Sequence, residues 1–179
     1  MMSQTLVLSF VLRTIFFDGM STSFKSILFT LIALTFIIAG IPILLHHFGL
    51  LQWTMAPWTT AMPGALTSLL GLLIYILCAR DFARFGRGTP AVWDPPKTFV
   101  SHGLYRLVRN PMYLGIVLIV IGEACFFHSR PLLIISLSIW LLFHGFVLFY
   151  EEPTLTKKFG DSYRQYCLQV TRWLPRWPG

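Results

Sequence analysis

Residues 103–153 read GLYRLVRNPMYLGIVLIVIGEACFFHSRPLLIISLSIWLLFHGFVLFYEEP. Two apolar runs lie within this stretch, 111–127 and 131–150, and only His128, Ser129 and Arg130 separate them. A proline opens each run. Proline is favoured at the first helical position, where its missing N–H costs nothing. Asn110 stands just ahead of the first run and is a favoured N-cap residue, so a helix is expected from Pro111 with Asn110 capping it and Arg109 just outside. A helix start carries unpaired N–H groups and partial positive charge, which suits an anion. The three-residue connection makes the two runs a tight antiparallel hairpin. Its open end then brings Arg109, Asn110 and Tyr113 beside Glu151 and Glu152, one helix-packing distance away, about 8–10 Å.

The flanking sequence supports a bilayer setting. The 179-residue chain is 55% hydrophobic and 12% charged, with a mean hydropathy of +0.68. Soluble domains carry about 25% charged residues. The expected fold is an all-α integral membrane protein of about four transmembrane helices, with room for a fifth, interfacial, helix at the N-terminus and a short C-terminal cytoplasmic helix. Residues 26–79 contain no Asp, Glu, Lys or Arg. A span needs about 20 apolar residues, so this stretch holds two, roughly 26–45 and 61–79. Pro42 is expected to kink the end of the first. The segments are then a leader or interfacial stretch (1–25), a first hairpin (26–79), a cytoplasmic loop (80–110), a second hairpin (111–150) and a tail (151–179). The tail is expected to place one short helix, 154–169, at the interface and to complete the site. GRGTP in the loop, residues 86–90, lacks the GxxxxGK[ST] pattern and reads as a juxtamembrane turn.

The net charge is +7. Four spans put the N-terminus, the 80–110 loop and the tail on one side, with every Lys and Arg except Arg130. That side is expected to be cytoplasmic. An inner or plasma membrane location follows, with the lipid bilayer rather than nucleic acid as the partner of the basic residues. Cys78, Cys125 and Cys167 show no CxxC or Cys/His spacing, so neither a disulfide framework nor a metal site is indicated. Glu123, inside the third span, is expected to pair with His128, Arg130 or a polar group of a neighbouring helix. His144 is expected to hydrogen-bond across helices.

Glu151 and Glu152 sit where the fourth span is expected to end. Carboxylates there oppose the helix macrodipole, and ionised acids at the membrane edge are costly. Something positive must offset them. Two readings stay open on the residues alone: an ion pair with Arg109 that locks the hairpin, or a pair that holds a cationic ligand.

These residues also carry a resemblance. GLYRLVRNPMYLG, followed one hairpin later by YEEPTLTKKFGDSYRQYCLQVTRWLPR, resembles the isoprenylcysteine carboxyl methyltransferase family, a bacterial-type member of a wider group that includes phospholipid methyltransferases. The pattern is Gly-x-Tyr-x-x-x-Arg-His-Pro-x-Tyr, a helical hairpin, paired glutamates, then Phe-Gly-x-x-Tyr-x-x-Tyr. Gly103, Tyr105, Arg109, Pro111, Tyr113, Glu151, Glu152, Phe159, Gly160, Tyr163 and Tyr166 match it. Asn110 departs from it, standing where many members have His. Asn can cap and hydrogen-bond but cannot titrate near neutral pH.

The resemblance implies S-adenosylmethionine as cofactor, bound on the cytoplasmic side, and a lipophilic acceptor reached from the bilayer. It implies catalytic roles for Arg109, Glu151 and Arg164. It implies cofactor contacts from Tyr105, Asn110, Tyr113, Glu151, Glu152, Tyr163 and Tyr166, with the tyrosines walling the adenine. A carboxylate acceptor, as on an isoprenylcysteine, is already nucleophilic and needs only Arg109 or Arg164 to orient it. A phospholipid amine must lose a proton, and a glutamate would take it. Membrane sterol reductases using NADPH are similar in their C-terminal region but are longer. A non-catalytic transporter subunit or assembly factor is the remaining alternative, in which Glu123 and Arg130 would matter more. No feature of the sequence fixes an oligomeric state.

Overall fold

The computed structural model describes residues 22–52, 56–86 and 100–175. Most of the leader, the GRGTP turn beyond Gly86 and the Asp-Pro-Pro stretch of the loop lie outside the described residues. Helix α1 (Thr22–Thr35) passes through a π turn (Phe36–Gly40) into α2 (Ile41–His47). Helix α3 (Trp58–Asp81) ends in a second π turn (Phe82–Gly86). A 3₁₀ turn (Gly103–Arg106) leads to α4 (Pro111–Phe126). Helix α5 (Arg130–Phe146) continues through a third π turn (Val147–Glu151) into α6 (Glu152–Phe159), and α7 (Asp161–Gln169) completes the order.

Two of the π turns share a cause. Proline inside a helix lacks the N–H and clashes with the carbonyl four residues back. Pro42 and Pro153 each come two residues after a π turn. At both places the residue just before the proline bonds five residues back, Ile41 N–H to the Phe36 carbonyl and Glu152 N–H to the Val147 carbonyl. The wider turn relieves the clash without breaking the helix. The fourth span therefore does not stop at Tyr150. It runs on through the glutamate pair, so the expected conflict with a helix end is absent.

Among the described residues, three helical stretches are long and apolar enough to cross a membrane: Ile27–His47, Trp58–Asp81 and Arg130–Phe159. Their outward faces expose Leu31, Leu66, Leu69, Leu73, Leu137 and Leu142, as lipid contact requires. Helix α4 is different. At 16 residues it rises about 24 Å, short of the roughly 30 Å hydrocarbon core. It is also the most enclosed element, with Met112, Val117, Ile119, Val120, Glu123 and Ala124 all buried. Among the described residues, the expected helical bundle is three long helices packed around a short central one.

Helix α4 runs antiparallel to α3 at backbone contact. Gly64 and Gly71 on α3 meet Gly122 and Gly115 on α4, a seven-residue step on each helix. A Cβ on Gly71 would lie 2.6 Å from the Gly115 carbonyl, and one on Gly115 would lie 2.8 Å from the Gly71 carbonyl. Only glycine permits this approach, the small-residue packing that membrane helices use. Ser68, between the two α3 glycines, donates to the Ile119 carbonyl at 3.0 Å.

Two apolar clusters flank this contact. Ile37, Leu45 and Leu51 pack on Ile119, Val120, Ala124 and Leu132 toward the His128 end. Tyr75, Cys78 and Ala79 pack with Val100, Tyr105 and Met112 toward the Asn110 end. The second cluster is the floor on which the polar residues stand.

Candidate active site

The 3₁₀ turn sets the approach to α4. Gly103 has φ +58°, and the buried Asp81 carboxylate occupies the space a Cβ would need. Both facts require glycine there. The turn drops the Tyr105 ring into the apolar floor, edge-on to Phe82 at 5.6 Å. Tyr105 is therefore a support beneath the site, and its carbonyl accepts from the Tyr166 hydroxyl at 2.6 Å.

Pro111 opens α4 as expected, but Asn110 makes no side-chain cap. Its amide donates instead to the Arg172 carbonyl at 3.2 Å. The tail explains the change. Val108 pairs with Thr171 in a parallel bridge, and the Arg109 N–H donates to the Thr171 carbonyl at 2.8 Å. The returning strand puts an acceptor where the Asn110 side chain meets it before it can turn to its own helix.

The hairpin end assembles as the short connection requires. Arg109 Nη1 donates to Glu152 Oε1 at 2.9 Å. Tyr113 donates its hydroxyl to Glu151 Oε2 at 2.8 Å, and its ring stacks on Phe143 with centroids 4.5 Å apart. A second arginine joins: Arg172 grips Glu152 with Nε on Oε1 at 2.8 Å and Nη2 on Oε2 at 2.9 Å. Glu152 is thus shared by two guanidinium groups, in the forked geometry that makes arginine–carboxylate pairs strong. That hydrogen bond raises the Arg172 pKa above its ordinary value, so it stays charged. Glu151 has no arginine among the described residues.

Arg109 makes a further contact, from Nη1 to the Cys167 sulfur at 3.0 Å. Its Nε is buried and has no partner. Unpaired buried donors are rare and costly, and one inside a polar cluster calls for an acceptor. Tyr163 is buried, with its ring 6.1 Å from that of Tyr166. Burial pushes the phenols of Tyr105, Tyr163 and Tyr166 above their ordinary pKa, which keeps them neutral donors.

Other residues lie elsewhere. The tail helix expected over 154–169 is broken at Gly160, whose φ is +56°. The break sends Arg164 to the surface, where it faces Asp161 at 3.4 Å and stands apart from the cluster. His144 accepts from the Trp173 indole at 2.9 Å, with Trp140 stacked on it at 5.4 Å. It therefore bonds to the tail rather than across two spans. Glu123 does not pair as expected, since both its buried carboxylate oxygens lack a partner. His128 and Arg130 are exposed in the turn beyond it.

Sequence reasoning missed Thr171, Arg172, Trp173 and Cys167 as site residues. The tail's Arg and Trp fit a headgroup-facing segment equally well. No spacing rule announces a strand that folds back on a helix start sixty residues away.

Comparison with known proteins supplies the class. A family model described as phospholipid methyltransferase matches residues 59–162, more than half of the chain. The chain belongs to that family. A methanethiol S-methyltransferase of Mycobacterium tuberculosis is 29% identical over 158 residues, covering 79% of this chain and 62% of that protein. A probable protein-S-isoprenylcysteine O-methyltransferase of Oryza sativa is 26% identical over 120 residues, covering 66% of this chain and 62% of that protein. The protein-S-isoprenylcysteine O-methyltransferase of Schizosaccharomyces pombe is 34% identical over 80 residues, covering 44% of this chain and 34% of that protein. The chain spans less than two thirds of the length of these relatives.

Proposed function

We propose that this membrane protein is a methyltransferase that uses S-adenosylmethionine to methylate a lipophilic acceptor. The observation that carries the reading is the polar cluster at the hairpin's open end, where Arg109 keeps an unpartnered buried Nε and Glu151 has no arginine among the described residues. The cofactor, when bound, supplies an electrophilic methyl on a sulfonium. Its charges are mixed, a carboxylate with an ammonium and a sulfonium, and the cluster offers both signs. The Nε–H of Arg109 suits the carboxylate. The Glu151 carboxylate suits the ammonium or a ribose hydroxyl, with Tyr113 fixing its orientation. Tyr163 and Tyr166 stand next to Arg109 and Cys167 as aromatic wall. Methyl transfer is an in-line displacement, so holding the partners in place accounts for much of the rate.

A carboxylate on a prenylated or similar tail is the first acceptor class, because it attacks without losing a proton. A second reading rests on Glu151. A carboxylate not neutralised by an arginine can take a proton, which an amine or thiol acceptor would require. The lysine and arginine asymmetry supports a cytoplasmic site with both termini on that face.

The test is calorimetric titration of the detergent-solubilised chain with S-adenosylhomocysteine. Binding is expected, and Arg109→Ala and Glu151→Gln should each weaken it about tenfold or more. Wild-type affinity in both variants would overturn the site. Labelled methyl transfer to a prenylcysteine, a prenyl thiol and phosphatidylethanolamine then separates the acceptor classes.

A further inference from the structure

The site contains a residue that neither the resemblance nor the family match assigns. The match ends at 162, and Arg172 lies beyond it. Yet Arg172 makes the only forked ion pair among the described residues, to Glu152. Its main chain is tied as firmly as its side chain. The Asn110 amide holds its carbonyl, the Arg109 N–H holds the carbonyl of Thr171, and the Trp173 indole is held by His144. Four anchors fix three consecutive residues, 171–173, across the start of α4.

The consequence falls on Arg109. An arginine and a carboxylate left alone pair through two N–H groups. Arg109 does not. It gives Glu152 a single Nη1 bond, to the same Oε1 that accepts from Arg172 Nε, while the Arg172 fork lies across both oxygens. The Nη1 corner of Arg109 is fixed between Glu152 and Cys167, and its Nε is left buried and unpartnered. An exposed donor could turn to water. This one is buried, so it has a ligand oxygen to meet or it is simply a cost.

We propose that Arg172 is a positioning residue: by taking the fork of Glu152 it keeps Arg109 from closing on that carboxylate, and so keeps the Arg109 Nε free for a carboxylate-bearing ligand. The inference rests on the proposed cofactor reading for the identity of that ligand. With Arg172 gone, Glu152 has two free oxygens beside one arginine and draws Arg109 into a closed pair. The site then satisfies itself and rejects the ligand.

A rescue experiment tests this with the full chain in detergent, titrated with S-adenosylhomocysteine. Arg172→Ala is expected to weaken binding about tenfold or more, and Arg172→Lys, which cannot form the fork, also weakens it. The deciding variant is Arg172→Ala combined with Glu152→Gln. A neutral amide has no charge with which to capture Arg109, so binding should recover most of the loss. A merely structural Arg172 predicts a double variant no better than the single one, and that result would overturn the proposal, as would wild-type affinity in Arg172→Ala. A second readout does not need the cofactor. Arg109 takes its positive charge away from the Cys167 sulfur when it closes on Glu152, so the alkylation rate of Cys167 by a small maleimide should fall several-fold in Arg172→Ala and recover in the double variant. If wild-type protein binds no S-adenosylhomocysteine, the cofactor reading fails, and the Cys167 rates alone decide the role of Arg172. Equal rates in all three proteins would reject it.

Discussion

At the scale of single residues, the site is a matter of who holds whom. Gly103 is the clearest sterically determined position. An alanine there must adopt φ +58° and place its Cβ against the Asp81 carboxylate. The expected cost is roughly 1–3 kcal/mol, read as a lower unfolding temperature in detergent. Part of the loss should disappear in an Asp81→Ala background, and equal stability of Gly103→Ala and wild type would refute the packing. The two glutamates, adjacent in sequence, divide the work. Glu152 is neutralised by Arg109 and Arg172, whereas Glu151 has Tyr113 as its partner. Tyr113→Phe removes one hydrogen bond and should weaken cofactor binding several-fold while leaving the fold intact, at a cost of about 1 kcal/mol. An unchanged affinity would mean that Glu151 does not need its tyrosine. The meeting of Arg109 and the glutamate pair at one end of the hairpin was legible in the sequence, because a three-residue turn dictates which residues share the open end. The roles of Asn110 and Arg172 were not, because both depend on a tail strand that only long-range folding brings near.

At the scale of elements, the π turns and the glycine contacts decide the geometry. The turn at Val147–Glu151 sits between a fully buried Val147 and Pro153. Each residue added to a helical turn rotates the rest of the helix by about 100°. Pro153→Ala restores the missing N–H and removes the clash that the π turn relieves. The expected result is a relaxed α-helix, a displaced Glu151 and weaker cofactor binding at unchanged helical content by circular dichroism. Full binding would show that packing at Val147, rather than the proline, sets the turn. The α3–α4 contact makes a sharper demand. Gly71→Val must push two backbones apart, at a cost of about 1–3 kcal/mol or more, whereas Ser68→Ala should cost only about 0.6 kcal/mol. Thermal unfolding in detergent ranks them, and a Gly71→Val as stable as Ser68→Ala would contradict the close approach. The helix ends at Pro111 and Asp81 could be read from proline and charge. The π turns could not, since the same prolines also permit a kink or a break.

At the scale of the whole molecule, the described residues arrange three long apolar helices around a short enclosed one. Whether α4 carries the chain across the bilayer is a question of sidedness. Single cysteines at Arg84, Arg130 and Lys158, in a background without the native cysteines, give the answer with a membrane-impermeant maleimide on intact cells. Arg130→Cys is expected to label from outside, and the other two only after permeabilisation. Labelling of Arg84→Cys and Arg130→Cys from the same side would mean that α4 does not cross, and would remove the cytoplasmic assignment of the site with it.

The helical membrane class, the tight hairpin and the meeting of Arg109 with the glutamates are all written in the amino-acid order. They come from local rules: apolar length, proline at helix starts, and a connection too short to permit any other pairing. Three further features emerge only from the folded chain. Helix α4 is the enclosed centre of the bundle, Tyr105 lies in the floor with Arg164 at the surface, and Arg172 closes the cluster. Each of these depends on which face of a helix is turned inward or on a strand returning from far along the chain. Local propensity carries no information about either, because the free energy that fixes them comes from contacts between residues distant in sequence.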